Sequence, residues 1–389
     1  MSERTPLRSS QNDQEACYED YGEEEHLHLS FTSKISLFLG GIFITVLMLY
    51  LLLFYLPNKF IPEATDLRAI PLVTNLNVTF QVLDPERIEE LGLESSKSIS
   101  DNLEFVDDSQ DSNIAKSKKI ERLILIGDVH GHFKEFKKLL KKIKYNHKLD
   151  HILLLGDFIS KGPDSIKMLD YMAEHQLDCI LGNHEYYVLQ NYAIFHHVND
   201  PFFTNNRSES LYTEGYNDDP EYQLAKRLQP EHVNYINNCS VIKRLGKVPL
   251  HKKTNMGGFN SAQGVAVHAG LRWDLGLEDQ IPIENLEMRS LVGPFFNQST
   301  DDPHEPNAVS WSKIYNGKQK LKKKGSGRVV YYGHDARRGL SLKKYTKGID
   351  TGCDRGERLT ALVIWQEAAI DKKGRKRVLY KEEPISVSC

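Results

Sequence analysis

The chain has 389 residues, 40% hydrophobic and 26% charged, with 26 Gly and 15 Pro, which excludes disorder throughout, collagen and a small disulfide scaffold. Its formal net charge of -3, from 50 Lys and Arg against 53 Asp and Glu, favours no partner by itself. The average hides a split: residues 1–119 carry 10 basic and 20 acidic side chains, a net of -10, and the remainder carries 40 against 33, a net of +7.

Residues 1–34 form an acidic tail that includes Glu23, Glu24 and Glu25. Ile35 to Leu56 (35–56) then runs 22 residues without a charge, enough at about 1.5 Å per residue to cross a hydrocarbon core of about 30 Å. It reads as one transmembrane helix rather than a cleaved signal, because the preceding tail is long and acidic and Pro57-Asn58-Lys59 offers no small-residue cleavage site. The flanking charges, Lys34 against Lys59 and Arg68, leave orientation open. Four glycosylation sequons (Asn77, Asn206, Asn238, Asn297) all follow the helix, which fits a lumenal C-terminal part and a glycoprotein. Five cysteines (Cys17, Cys179, Cys239, Cys353, Cys389) have no repeated spacing, so neither a zinc knuckle nor a disulfide framework is read from them.

Residues 57–119 read as a polar stem, with acidic and Ser-rich patches, a short strand candidate LNVTFQVLD and a weak helix over Pro85 to Leu91. The folded domain is expected over 120–389, with an aromatic, Asn-rich insertion around 191–260 as a cap. Five apolar runs in it each end in a residue able to bind a metal: LILIGDVH (123–130), ILLLGDF (152–158), CILGNHE (179–185), VAVHAG (265–270) and VVYYGHD (329–335). Each has the look of a strand buried on both faces, and ligands gather at the carboxyl ends of such strands. Between the first two, Phe133, Phe136, Leu139, Leu140 and Ile143 recur at helical spacing and complete a βαβ unit. The lysines around them (Lys134, Lys137, Lys138, Lys141, Lys142, Lys144) read as a solvated face first and a polyanion dock second.

Asp128, His130, Asp157, Asn183, His268 and His334 combine carboxylate, amide and imidazole donors, which suits Zn²⁺, Mn²⁺, Co²⁺ or Fe rather than an all-oxygen Ca²⁺ cage. One carboxylate shared by two cations holds them about 3.5–4 Å apart, and water between them ionises near neutral pH.

The ordered set GDVHG (127–131), GDFISKG (156–162), GNHE (182–185), HAG (268–270) and GHD (333–335) resembles the calcineurin-like metallophosphoesterases. Within them it is similar to the phosphoprotein-phosphatase superfamily and its bacterial diadenosine-tetraphosphatase-like branch, whose closing strand pair IDTGCDRGERLTALVI (349–364) resembles. The resemblance covers about 270 residues and implies an α/β metallophosphoesterase fold, a βα-sandwich of two central sheets flanked by helices, here behind one N-terminal transmembrane helix. It also implies Asp128 and His130 on one metal, Asp157 as the bridge, Asn183, His268 and His334 on the second, and His184 as the general acid.

Protein phosphatases of that superfamily carry GDxxDRG in the second motif, where the second Asp orients the catalytic His and the Arg binds phosphate; Ser160 and Lys161 stand there in this chain. A serine offers no carboxylate, so His184 is expected to be a weaker acid, a loss that matters least when the leaving group is already a stable phosphate anion. The expected substrate is therefore a P–O–P anhydride, with compensation by Glu185 or a cap carboxylate as the alternative. Lys161, Arg337 and Arg338 are the expected substrate contacts, and the basic run 318–328 reads as a solvated loop. Together with the membrane helix, these features resemble the fungal vacuolar endopolyphosphatases. That resemblance implies internal cleavage of inorganic polyphosphate with two divalent metals, zinc first, by a single-pass vacuolar membrane protein with a lumenal catalytic domain (type II). Dinucleoside polyphosphate hydrolysis, Ser/Thr phosphoprotein dephosphorylation and a silent phosphatase-fold binding module are the alternatives; no specific nucleic acid is expected.

Overall fold

The structure is a computed structural model that describes residues 30–56, 60–93, 117–205, 219–251, 257–302, 304–323, 326–371 and 373–389. The chain divides into two units, Met1–Phe60 and Ile61–Cys389.

In the first unit, helix α1 (Phe31–Tyr50) starts at Ser30, whose side chain accepts from Ser33 N–H at 3.3 Å, and continues as a π-helical turn over Leu51–Tyr55. Thr45 Oγ1 donates to the Gly41 carbonyl at 2.9 Å, so its polar group is satisfied within the helix. Within these 25 residues an 18-residue window has a mean hydropathy of 2.6, and none of its residues is buried. At about 1.5 Å per residue the helix is about 37 Å long, long and apolar enough to cross a membrane.

The second unit starts earlier than residue 120. Strands β1 (Val73–Asn75), β2 (Val78–Phe80) and β3 (Val82–Leu83) and helix α2 (Pro85–Leu91) arise from the segment expected to be a stem. Leu67, Ile70, Leu72, Leu83, Ile88, Leu91 and Leu93 are buried in the main hydrophobic cluster, so residues 61–93 belong to the folded domain. β2 and β3 fall within the strand candidate LNVTFQVLD and α2 is the helix expected over Pro85 to Leu91; the strands are only two or three residues long, too short to announce a folded domain.

Strands β4 (Lys118–Ile120) and β5 (Arg122–Ile126), helix α3 (Phe133–Lys142), β6 (Asp150–Leu154), helix α4 (Ser165–Glu174) and β7 (Asp178–Cys179) follow. β5, β6 and β7 pair in parallel, joined by helical crossovers as the apolar spacing requires. At their amino ends, Arg122 and Asp150 form a fully buried bidentate ion pair, Nη2 to Oδ2 at 2.7 Å and Nε to Oδ1 at 2.8 Å, and the guanidinium also donates to the Ile143 and Lys144 carbonyls. The α3 lysines are in part docked rather than solvated.

Helices α5 (Asn183–His196), α6 (Pro220–Ala225) and α7 (Pro230–Asn237) lead to β8 (Ile242–Pro249) and β9 (Ser261–Val267). Next come α8 (Pro282–Glu287), β10 (Ser290–Val292), β11 (Ser299–Thr300), β12 (Ala308–Ser310) and α9 (Trp311–Lys320). The chain closes through β13 (Arg328–Tyr332), β14 (Ser341–Leu342), β15 (Thr346–Gly348), β16 (Arg358–Ile370) and β17 (Lys376–Ser388). Lys138 and Lys142 of α3 donate to the carbonyls of Ser388 and Ser386, at 3.2 and 2.8 Å.

One large sheet runs β17-β16-β5-β6-β7, with β3 also on β16, and the other runs β1-β8-β9-β13-β15-β14. The expected cap is shorter than 191–260, because β8 is an inner strand of the second sheet; a bulge between Arg244 and Gly246 breaks its alternation and hides it from pattern reading. Leu123, Leu125, Leu153 and Leu362 of the first sheet share one buried cluster with Leu245, Val248, Ala266 and Val329 of the second, so the two sheets face each other. Ile124, Ile126, Ile152 and Leu154 turn the other way, onto Phe136, Leu139 and Met168 of the covering helices. At about 1.5–3 kcal/mol for each fully buried large apolar side chain, this sandwich supplies the main stabilising term.

Four of the cysteines pair, Cys179 with Cys239 and Cys353 with Cys389, at separations of 60 and 36 residues that no spacing rule would find. Asn77, Asn238 and Asn297 are exposed; Asn206 and Cys17 lie outside the described residues.

Candidate metal centre

Every expected ligand follows the end of a strand. Asp128 and His130 follow β5, Asp157 follows β6, Asn183 opens α5 just past β7, His268 follows β9 and His334 follows β13. The first four come from one sheet and the last two from the other, and all six are buried. The two sheets are tied at this edge by the His334 N–H, which donates to the Asp128 carboxylate at 3.0 and 3.1 Å, while the Gly333 N–H donates to the His268 carbonyl at 2.8 Å within the second sheet. His130, Asp157 and His334 have φ of 47°, 49° and 63°, a left-handed conformation that turns each side chain sharply out of its strand and persists in non-glycine residues only where the surroundings enforce it. The glycine before a ligand has a steric reason: a Cβ on Gly182 would collide with the Asp157 amide and carboxylate, and one on Gly333 with the Asp128 carboxylate.

Asp157 is at the centre. Its Oδ1 lies 3.4 Å from His268 Nε2, and its Oδ2 lies 3.7 and 3.9 Å from His130 Nε2 and His184 Nε2. The donor atoms of His130, Asp157 and His184 lie within 4.8 Å of one another, as do those of Asp157, His268 and His334, so Asp157 is common to both groups. Hydrogen bonds behind the rings aim their nitrogens: His268 Nδ1 meets the Leu155 carbonyl at 2.8 Å and His334 Nε2 the Glu287 carbonyl at 3.1 Å, which turns the opposite nitrogen of each ring inward.

The donor set fits cations. Asn183 Oδ1 stands 3.0 Å from His268 Nε2, 3.2 Å from His334 Nδ1 and 3.2–3.3 Å from the Asp157 carboxylate, an oxygen facing other lone pairs. A cation among these atoms satisfies them all without turning the amide. Burial holds Asp128 well above the usual carboxylate range, with the Asp350 charge adding to it. Burial opposes a charged His268, yet Asp157 and then Asp128 carry that imidazole up to about 10. So much buried negative charge is neutralised either by protons on the ligands or by metal ions.

The expectation that His184 lacks a carboxylate partner is overturned. Glu221, on cap helix α6, places Oε1 2.5 Å from His184 Nδ1, and the Ser160 hydroxyl donates to the same oxygen. Burial lowers the His184 pKa, but Asp157 and the Glu221 hydrogen bond outweigh it and the net direction is upward. Of the two compensators considered, Glu185 is excluded, because its carboxylate accepts the N–H groups of Asp157, Phe158, Ile159 and Gly182 and staples the second motif to the third. Lys161 lies at the site, its Nζ 3.2 Å from His130 Nε2 and 3.5 Å from Asp354. Arg337 is exposed, and Arg338 pairs with Asp335 beside His334. Sequence reading missed Glu221, Asp350 and Arg289, whose Nη1 donates to the His334 carbonyl at 2.9 Å. Only the serine in place of aspartate signalled that one of them was needed.

Residues 121–338 match the family model described as calcineurin-like phosphoesterase. The chain is 28% identical to a zinc-dependent endopolyphosphatase of Saccharomyces cerevisiae over 309 residues, covering 71% of this chain and 86% of that one. It is 48% identical over 71 residues to a symmetrical bis(5'-nucleosyl)-tetraphosphatase of Wigglesworthia glossinidia brevipalpis, a match over 18% of this chain that spans only 26% of that enzyme. A crystal structure of a candidate diadenosine tetraphosphatase has a TM-score of 0.49 at 22% identity, covering 69% of this chain and 93% of that chain.

Proposed function

The chain belongs to the calcineurin-like phosphoesterases, and from that premise we propose that it cleaves internal phosphoanhydride bonds of inorganic polyphosphate at a two-metal centre. The observation that carries this reading is the similarity to a zinc-dependent endopolyphosphatase along 86% of that enzyme's length, joined to six buried candidate ligands that follow strand ends. On this reading Asp128 and His130 would hold one divalent ion, Asn183, His268 and His334 would hold the other, and Asp157, common to both groups, would serve both, with Zn²⁺ the preferred metal. Bound there, the ions supply Lewis-acid charge for the phosphoryl oxygens and an activated water.

The chain's own residues do the rest. His184 Nε2 faces the cluster and delivers a proton to the leaving oxygen, and Lys161 and Arg289 add positive charge at the edge where a polyanion would lie. The anhydride preference no longer leans on a missing carboxylate, since Glu221 returns one; it leans on the relative. Cleavage of dinucleoside polyphosphates is the second reading, favoured by the 48% identity over 71 residues.

Long-chain polyphosphate, diadenosine tetraphosphate and a phosphopeptide assayed in parallel separate the readings. Shortening of polyphosphate without proportional early phosphate release is expected, and faster turnover of the phosphopeptide than of the other two would overturn the proposal. Two disulfides and three exposed sequons support an oxidising compartment for the catalytic unit, with α1 as a single-pass anchor in the vacuolar membrane and the domain lumenal. Protease protection of the domain in sealed vacuolar vesicles is the expected result; digestion without detergent would reverse the topology.

A further inference from the structure

We infer that Glu221 is the positioning residue of the general acid, so that the cap insertion, through a relay of Ser160, Glu221 and His184, supplies the carboxylate that the second motif lacks. The inference rests on the hydrolase chemistry of the family and not on polyphosphate as the substrate.

One oxygen does two jobs. Glu221 Oε1 takes the His184 Nδ1–H at 2.5 Å and also the Ser160 hydroxyl. With Nδ1–H committed to the carboxylate, the proton available for transfer is the one on Nε2, the nitrogen that faces the cluster 3.9 Å from Asp157 Oδ2. The rings packed edge-on against His184 are His130 at 5.0 Å and Tyr187 at 5.9 Å between centroids, and the Lys161 charge also acts on it.

The arrangement is built rather than incidental. Glu221 is 8% exposed and its own N–H is held by Asp219 Oδ1 at 2.9 Å, at the start of α6. Ser160 is buried at φ 71°, and its N–H donates to Ser165 Oγ at 3.0 Å. Glu221 and Ser160 are thus both fixed through their own backbone N–H groups. The serine side chain is short enough to leave room for a glutamate arriving from outside, and its hydroxyl donates to that glutamate where an aspartate would repel it. Serine at 160 and glutamate at 221 therefore form a matched pair, and the cap must be seated for His184 to be aimed.

The test uses the full chain in detergent, loaded with metal, with phenyl phosphate and p-nitrophenyl phosphate as esters of poor and good leaving groups. Glu221→Ala is expected to lower kcat on phenyl phosphate by about 10²-fold, the low end of what a positioned acid contributes, and on p-nitrophenyl phosphate by less than about 10-fold. KM and bound metal per chain should stay unchanged. Adding Ser160→Asp to that variant should recover about 10-fold on phenyl phosphate, because the carboxylate returns from the other side. Should the alanine variant not fold, Glu221→Gln makes the same comparison with the side-chain shape kept. Equal losses on the two esters, no loss on either, or a parent protein that cleaves neither ester would overturn the inference. Polyphosphate shortening by the parent protein is scored separately and decides the proposed substrate.

Discussion

Asp157 enters the centre from the end of β6, on a left-handed residue one position past a glycine, in a loop stapled by three N–H groups to Glu185; Glu221 enters it from a six-residue helix in an insertion. The first is fixed by the sandwich and stays put in any protein that keeps those strands. The second is fixed by local contacts of the cap and is free to be replaced by another carboxylate from another direction. The difference separates what the sandwich fixes, a cluster of candidate metal ligands, from what the cap adds, a carboxylate on the His184 ring.

Breaking the strand-end side should cost most. Asp157→Asn removes the one residue shared by both ligand groups, so kcat/KM should fall by at least about 10³-fold, roughly 4 kcal/mol of barrier, and bound metal per chain should drop. Full metal content with full activity would remove Asp157 from the centre. At the amino ends of the same strands the expectation is the reverse. Asp150→Ala strands a fully buried Arg122 guanidinium and should destabilise the fold by about 3–5 kcal/mol in denaturant titration, while folded protein keeps its metal content.

The cap side can be sharpened by its covalent tie. Cys179 ends β7 and Cys239 follows α7, so this bridge anchors the far end of the insertion to the first sheet. Its removal by paired Cys→Ser substitutions should cost about 2–4 kcal/mol, read as a lower denaturation midpoint; an unchanged midpoint would mean that the cap seats without it. The smallest effect belongs to the rim. Arg289→Ala should raise KM for a polyanionic substrate about 10-fold with kcat little changed, and an effect on kcat alone would instead make this arginine a support of the His334 loop.

Much of this was legible before the fold was seen, for a physical reason. Strands buried on both faces must be continuous apolar runs, and a side chain squeezed between two sheets needs little bulk beside it, so five of the six expected ligands stand next to a glycine and His268 stands two residues before one, Gly270. In Ile61 to Leu93 the strand candidate at 76–84 and the helix over Pro85 to Leu91 were legible, but their place in the folded domain was not, because single buried leucines among charges look like a linker. β8 was obscured by its bulge, and the disulfides join positions 60 and 36 residues apart. Glu221 was the hardest to see: its partner Ser160 lies 61 residues earlier, and only the folded chain brings them together.

The lysines of α3 have a consequence for how the molecule behaves in company. β17 is the outermost strand of its sheet, and an unpaired strand edge is a template on which another chain can add. Along this edge Tyr380 exchanges both backbone hydrogen bonds with Gly258, while Lys138 and Lys142 occupy the carbonyls of Ser388 and Ser386. The crossover helix that joins β5 to β6 therefore also closes part of an open edge, and replacing both lysines with methionine would leave the active centre intact while inviting self-association through β17.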